Sequence, residues 1–394
     1  MNQTRPYPFD MTRTDVSGLY STLREKEPIS RVQLPYGEPA WLAVRHDDVK
    51  TVLSDPRFSR ELAQGLDQPR LRSENIDDGI MGMDPPDHTR LRRLVGKAFT
   101  ARRVERMREG VQHRADALVD AMTTKGSADL VEEFARPLPV SVICELLGVP
   151  FEDHVIFRRW TESVTNEESA ISNVLARIGP EMNAYMGELV EQRRREPTDD
   201  LLGALVRARD EGDRLTEDEL IAISGPGLLA GGAETVSSGI PSFVYTLLTQ
   251  PELLAQLKGQ PELIPRAVEE LLRYVPINTS AMFARYSLED VELSGVTVRA
   301  GEPVLPAIHA ANRDPEVFAD PERIDLTREK NPHVTFGHGP HHCIGAQLAR
   351  LELQVAMKTL LERLPGLRLA EGEAGVEWTF GVIVRGPSRL PVTW

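Results

Sequence analysis

Apolar positions recur at helical spacing over most of the chain. Residues 17–27, 103–124, 137–147 and 151–195 each read as helical, and the later three end in turn at Gly126, Gly148-Val149-Pro150 and Pro197. A further helix is predicted to begin at Thr216-Glu217-Asp218-Glu219, a capping-box sequence, and to run through an apolar stretch interrupted by Gly225-Pro226-Gly227 and Pro241, where kinks are expected. Leu348, Leu351, Val355 and Leu360 mark the stripe of a last helix over 346–364. Alternating patterns are fewer and shorter. Residues 31–34 and 41–45 read as a hairpin around Pro35-Tyr36-Gly37, residues 285–298 as strands around a Ser294-Gly295 turn, and the tail to Trp394 as strand-like. The pattern predicts a mainly α protein with a smaller β-rich region.

Two stretches lack a steady period. Residues 58–84 mix charges with glycines and end in Asp84-Pro85-Pro86, and residues 164–182 are weakly patterned. A long aperiodic stretch inside a globular chain is usually functional or mobile.

Length changes the picture little. The 394 residues exceed the usual size of one core, yet 29 prolines and 29 glycines are spread along the chain without a linker or repeat, so residues 1–394 are read as a single domain. A formal net charge of −14 argues against nucleic acid or an anionic membrane as a partner. The first fifteen residues are polar, and the best apolar run, over 138–150, is short and contains Glu145, so neither a signal peptide nor a membrane anchor is expected. A cytoplasmic monomer is the corresponding expectation.

The chemistry concentrates in Phe336-Gly337-His338-Gly339-Pro340-His341-His342-Cys343-Ile344-Gly345. Glycines there let the backbone turn sharply or approach a flat ligand, and Cys343 stands just before a predicted helix, where the helix N-terminus favours a thiolate. Zinc would need further Cys or His ligands, but the only other cysteine is the distant Cys144, set in an apolar segment and read as a core residue. The Cys-x-x-Cys-His of covalent haem attachment is absent. A nucleophile would need His341 or His342 as its base, and such close sequence neighbours rarely face each other across a tight loop. A single axial thiolate to haem iron remains.

Phe336, Gly339, Cys343 and Gly345, at these spacings, resemble the signature of the cytochrome P450 family of haem-thiolate monooxygenases. Four more stretches resemble the family in the same order along the chain. In Asp87-His88-Thr89-Arg90-Leu91-Arg92, the residues His88 and Arg92 lie four apart on one helical face, and the resemblance implies that they grip a haem propionate. In Ala230-Gly231-Gly232-Ala233-Glu234-Thr235, it implies a distorted helix in which Gly232 and Ala233 lie against the cofactor and Glu234 and Thr235 deliver protons to dioxygen. Val236 departs from the hydroxyl that often follows. Glu270 and Arg273, three apart, would join Arg323 in a buried ion triad beneath the haem, with Ile324 in place of the usual phenylalanine. Arg285 and His341 would be further propionate ligands, Phe336 would belong to the cofactor-binding loop, and by the same resemblance residues 58–84 would help to wall the substrate pocket and residues 164–182 would cover it.

The family fold is a helical bundle with a smaller β-rich region, as the pattern already predicts. Its cofactor is haem b, with Cys343 as the only metal ligand from the protein. The reaction implied is insertion of one oxygen atom from O₂, by hydroxylation or epoxidation, into an apolar or amphipathic small molecule, with electrons from ferredoxin and ferredoxin reductase. Between residues 89 and 114 nine cations, Arg90, Arg92, Arg93, Lys97, Arg102, Arg103, Arg106, Arg108 and Arg114, face only Glu105 and Glu109, a patch suited to an acidic ferredoxin. The stretches around Asp84-Pro85-Pro86-Asp87 and Ala311-Asn312-Arg313-Asp314-Pro315 look most like actinobacterial enzymes that tailor macrolides and other antibiotics. Two alternatives stay open. One is the same fold in oxidative coupling or peroxide-driven chemistry, the latter disfavoured by the intact Glu234-Thr235; the other is a non-catalytic haem-binding sensor.

Overall fold

In a computed structural model the chain forms two compact units, Met1–Asp84 with Thr249–Cys343 and Trp378–Gly386, and Pro85–Leu248 with Ile344–Glu377 and Pro387–Trp394. The structure describes residues 4–9, 11–71, 73, 79–157, 159–160, 171–212, 215–228, 230–278, 283–379 and 384–394. Part of each aperiodic stretch predicted to meet substrate, 72 with 74–78 and 164–170, lies outside the described residues.

A six-stranded mixed sheet is the frame of the first unit. Its order is Arg5–Pro6, Ile29–Gln33, Ala40–Ala43, Pro303–Pro306, Arg285–Ser287 and Phe58–Ser59. The predicted hairpin is present, with Ile29 opposite Ala43 and Val32 opposite Ala40. At its turn Gly37 has φ +83, and a Cβ there would lie 2.1 Å from the Gln68 carbonyl oxygen, so the position admits only glycine. Because side chains alternate across a strand, Val32, Leu42, Tyr286 and Leu305 enter one core, while Ile29, Ala43 and Val304 enter another on the opposite face. The Ser294-Gly295 turn is also as predicted. It joins the antiparallel strands Val291–Leu293 and Val296–Val298, and both turn residues have positive φ, +43 and +79, the conformation that matches the twist of a tight hairpin.

Helices dominate the second unit. The long helices Ala101–Thr123 and Ala346–Arg363 pack on each other, the first through Val104, Val111, Ala115, Val119 and Met122, the second burying Leu348, Leu351, Val355 and Leu360 as the pattern predicts. Thr235–Leu248, buried on nearly every side, packs against the second of them, and the helix runs on through Pro241. Two of its hydroxyls are satisfied within the helix, Ser242 Oγ donating to Ser238 O and Thr246 Oγ1 to Ser242 O, both at 2.7 Å. A three-stranded sheet of Arg368–Leu369, Pro391–Thr393 and Ser127–Asp129 completes this unit. Among the described residues no helix is long and apolar enough to cross a membrane.

Candidate active site

Cys343 is exposed, at the end of a loop whose shape is set by backbone hydrogen bonds. Gly337 N donates to Val334 O and Cys343 N to Phe336 O, both at 2.8 Å, and a single tight turn, Gly339–His341, lies between. Gly339 has φ +70, and a Cβ there would come within 2.7 Å of Leu53 O and Ser54 Cα, so the loop lies directly on the end of the helix His46–Ser54. His341 is half-buried on that turn. Burial, with Lys50 and His46 nearby, holds the His338 imidazole below its usual range, so this ring stays neutral beside the thiol loop.

The loop is anchored by residues the sequence reading did not single out. Asn312 receives Val334 N and donates to Thr335 Oγ1, and Thr335 Oγ1 donates to Leu272 O, with distances of 2.7–2.8 Å. Beneath them Glu270 and Arg273 are paired with both side chains fully buried. The Arg273 guanidinium serves both Glu270 oxygens and the carbonyls of Asn312, Pro321 and Arg323. Glu270 in turn accepts from Asp325 N, Arg328 Nε and Asn331 Nδ2 at 2.9–3.1 Å. A buried ion pair survives only when its remaining donors and acceptors are met in this way. The expected triad therefore needs one correction. Arg323 contributes its carbonyl and its side chain is exposed; the second guanidinium on Glu270 is that of Arg328, because the chain turns at Asp325 and brings the later residue back.

Arg285 lies in the same unit, 4% exposed on the strand Arg285–Ser287, with Nη1 donating to Phe283 O at 2.9 Å. A guanidinium buried to that degree gains from an anion.

In the second unit the helix Asp87–Gly96 carries His88, buried, and Arg92, half-buried, one turn apart. The predicted capping box is present: Glu219 N donates to Thr216 Oγ1 at 3.1 Å and Thr216 N to Glu219 Oε2 at 2.7 Å. From there the helix widens twice into π turns, Ile223–Gly227 and Ala230–Glu234, before Thr235 resumes the α form. The first of these coincides with the expected kink at Gly225-Pro226-Gly227. Thr235 Oγ1 donates back to Gly231 O at 3.1 Å, across the second widened turn. The three small residues before Glu234 have different surroundings. A Cβ on Gly232 would meet Ile143 Cδ1 at 2.5 Å and Ala233 is buried, so these two admit the neighbouring helix Pro137–Leu147; Gly231 is exposed with nothing within 4 Å.

The basic stretch divides into paired and unpaired cations. Arg90 meets Asp87 and Glu219, Arg103 meets Asp199, Arg108 meets Glu105 and Arg114 meets Glu145. Arg93, Lys97, Arg102 and Arg106 are exposed, and none has an ion-pair partner among the described residues.

In the first unit an exposed thiol ends a glycine loop backed by a buried ion pair, a form that suits an iron cofactor held by one thiolate, as in the haem-thiolate oxidoreductases. In the second unit a π-widened helix ends in an acid and an alcohol. The cytochrome P450 family profile matches residues 13–260 and 260–366. Mycinamicin IV hydroxylase/epoxidase of Micromonospora griseorubida is 52% identical over 394 residues, covering 100% of this chain and 99% of the relative. Nocardicin C N-oxygenase of Nocardia uniformis subsp. tsuyamanensis is 50% identical over 395 residues, 99% of each. The solved structure of the mixed-function P450 MycG has a TM-score of 0.95 and 52% identity, with 100% of both chains covered. This chain belongs to the cytochrome P450 family, and it is a haem-containing monooxygenase.

Proposed function

We propose that the protein, acting as one functional domain over residues 1–394, oxidises an apolar or amphipathic secondary metabolite of the macrolide kind, with electrons from a ferredoxin and its reductase. The substrate class is supported by the mycinamicin-oxidising relative, which spans the whole chain. N-oxygenation, named for the nocardicin relative, is the second chemistry this scaffold supports. We place the enzyme in the cytoplasm, as a monomer.

Cys343 is the iron ligand in this reading, and the observation that carries it is the exposed thiol at the end of a loop held in shape by the Asn312, Thr335 and Glu270 bonds. His88, Arg92, Arg285 and His341 hold the carboxylates of the haem, Phe336 belongs to the loop beneath it, and Gly231 leaves the helix face low enough for the cofactor and its ligand, while Gly232 and Ala233, first expected against the cofactor, are taken up by the helix Pro137–Leu147. When bound, haem supplies the iron at which dioxygen is activated. The chain's own part is to orient the substrate, exclude water and manage protons. Thr235 Oγ1 holds a proton that it now shares with Gly231 O, and a rotation about one side-chain bond redirects it toward an oxygen beside the widened turn. Glu234, one residue back, replenishes that proton. A donor poised this way contributes about 10²-fold or more to a step in which oxygen gains negative charge. Exposed Arg93, Lys97, Arg102 and Arg106 provide the docking face for an acidic ferredoxin.

The test is optical. Reduced protein under carbon monoxide should show the red-shifted Soret band of thiolate ligation, and Cys343→His should abolish it. An unchanged band in that variant would overturn the reading.

A further inference from the structure

Arg60 is 1% exposed, one of the largest fully buried side chains of the molecule, yet it stands outside every helix and strand. Its Nε donates to Met81 O at 3.0 Å and its Nη1 to Ala284 O at 2.5 Å. Its guanidinium carbon lies 5.0 Å from the centre of the Phe283 ring, a cation against an aromatic face. Its own N–H is fixed by Asp84 Oδ1 at 2.9 Å, and the other oxygen of Asp84 receives Ser59 Oγ and Glu61 N. One side chain thus ties the segments 59–61, 81–84 and 283–284 together, all within the first unit.

The residue on which it closes is in an unusual conformation. Phe283 has φ +58, in the left-handed region that aromatic residues rarely adopt. Such a conformation persists where its surroundings over-determine it, and such positions gather at ligand clamps and active sites. Here two guanidinium groups hold successive carbonyls, Arg285 Nη1 that of Phe283 at 2.9 Å and Arg60 Nη1 that of Ala284. The Phe283 ring, half-buried, is left against Arg60.

We propose that Arg60 is a positioning residue that holds Phe283 in its left-handed conformation, and so fixes the Phe283 ring as an apolar specificity element and the carbonyl to which Arg285 is tied. Its functional half rests on the reading of Arg285 as a haem-binding residue; its conformational half does not. A side chain of such reach is needed because the two carbonyls and the ring surround one point. Lysine, with a single nitrogen, cannot serve Met81 O, Ala284 O and the ring in the same geometry.

Two measurements on the holoenzyme test it. Phe283→Ala and Phe283→Gly both remove the ring, but only glycine relieves a positive φ, so with Arg60 intact the glycine variant should melt about 1–2 °C above the alanine variant. In an Arg60→Lys background the turn is free to leave the left-handed region, and that gap should close to under about 0.3 °C. A gap that persists in the Arg60→Lys background, or is missing with Arg60 intact, overturns the proposal; general loss of packing at Arg60 would leave the gap as it was. Should Arg60→Lys not fold, Asp84→Asn loosens the same tether and the comparison is repeated there.

The second measurement titrates imidazole and 4-phenylimidazole by their Soret shifts. Arg60→Lys and Phe283→Ala should each lower the preference for the phenyl-bearing ligand, on the order of tenfold, and the double variant should lower it no further. Unchanged preference in both single variants overturns the specificity role. If instead no nitrogen ligand shifts the wild-type Soret band, the haem-thiolate reading fails, while the melting comparison still decides the clamp.

Discussion

Thr235 is the residue on which the chemistry and the packing make opposite predictions. Its hydroxyl already has an acceptor in Gly231 O, on the exposed side of the widened turn, so Thr235→Ala leaves that carbonyl to water and removes little volume. If the hydroxyl delivers protons, that variant should bind haem and substrate normally, consume reduced nicotinamide, and release hydrogen peroxide in place of product. The ratio of product to reduced nicotinamide should fall about tenfold or more, and Thr235→Ser should restore much of it. A ratio equal to wild type would assign the proton to Glu234 and water. Glu352 gives a separate prediction. On the helix Ala346–Arg363 it is 1% exposed, and burial alone pushes its carboxyl well above the ordinary range. Above about pH 4.3 the unfolded chain ionises this group while the folded chain keeps its proton, so the fold loses about 1.4 kcal/mol per pH unit from there until Glu352 itself ionises. Glu352→Gln should remove that slope. Urea unfolding at pH 5, 6 and 7 should show a stability margin over wild type that widens with pH, and a constant margin would refute the assignment. Residues of this kind differ in legibility: that Cys343 ends a sharply turning loop could be read from its glycine spacing, but nothing in the sequence around Glu352 or Arg60 tells that either is buried.

Helices and loops were legible where one segment decides its own geometry. The capping box at Thr216 and the π turn over 223–227 follow from local residue types, and so does the turn at Ser294-Gly295. What escaped was any feature completed by a distant partner. Arg323 and Arg328 stand five apart, and only the bend at Asp325 decides which guanidinium reaches Glu270. Arg328→Ala should therefore destabilise the protein by about 3 kcal/mol and speed haem loss, because it leaves Glu270 under-satisfied, whereas Arg323→Ala should stay within about 0.5 kcal/mol of wild type. Denaturant unfolding and haem transfer to apomyoglobin measure both. The basic helices show the same limit. Sequence alone presents Arg102, Arg103, Arg106 and Arg108 as equivalent, but Arg103 and Arg108 are engaged by Asp199 and Glu105, leaving Arg102 and Arg106. Reversing Arg102 and Arg106 together to glutamate should raise the apparent KM for ferredoxin about tenfold at low salt without changing substrate affinity. The effect should shrink as ionic strength rises, since exposed charges are screened over about 8 Å at physiological salt. No change at low salt would remove these helices from the docking face.

At the scale of the molecule the sequence pattern yields helix content and strand positions, but not which strands are neighbours. The sheet joins Trp41 to Val304 and Ala43 to Pro306, in a parallel pairing that no hairpin turn announces. That arrangement bears on how the protein is born. A ribosome adding about 5–20 residues per second needs roughly 13–50 seconds to pass from position 41 to position 304. Throughout that interval the strand Ala40–Ala43 has its N-terminal partner but lacks the one that covers its other edge. The nascent chain thus carries an open sheet edge for most of its synthesis, and a host that translates quickly shortens that exposure, while one that keeps holding chaperones at hand shelters the edge until the second half of the sequence arrives to close it.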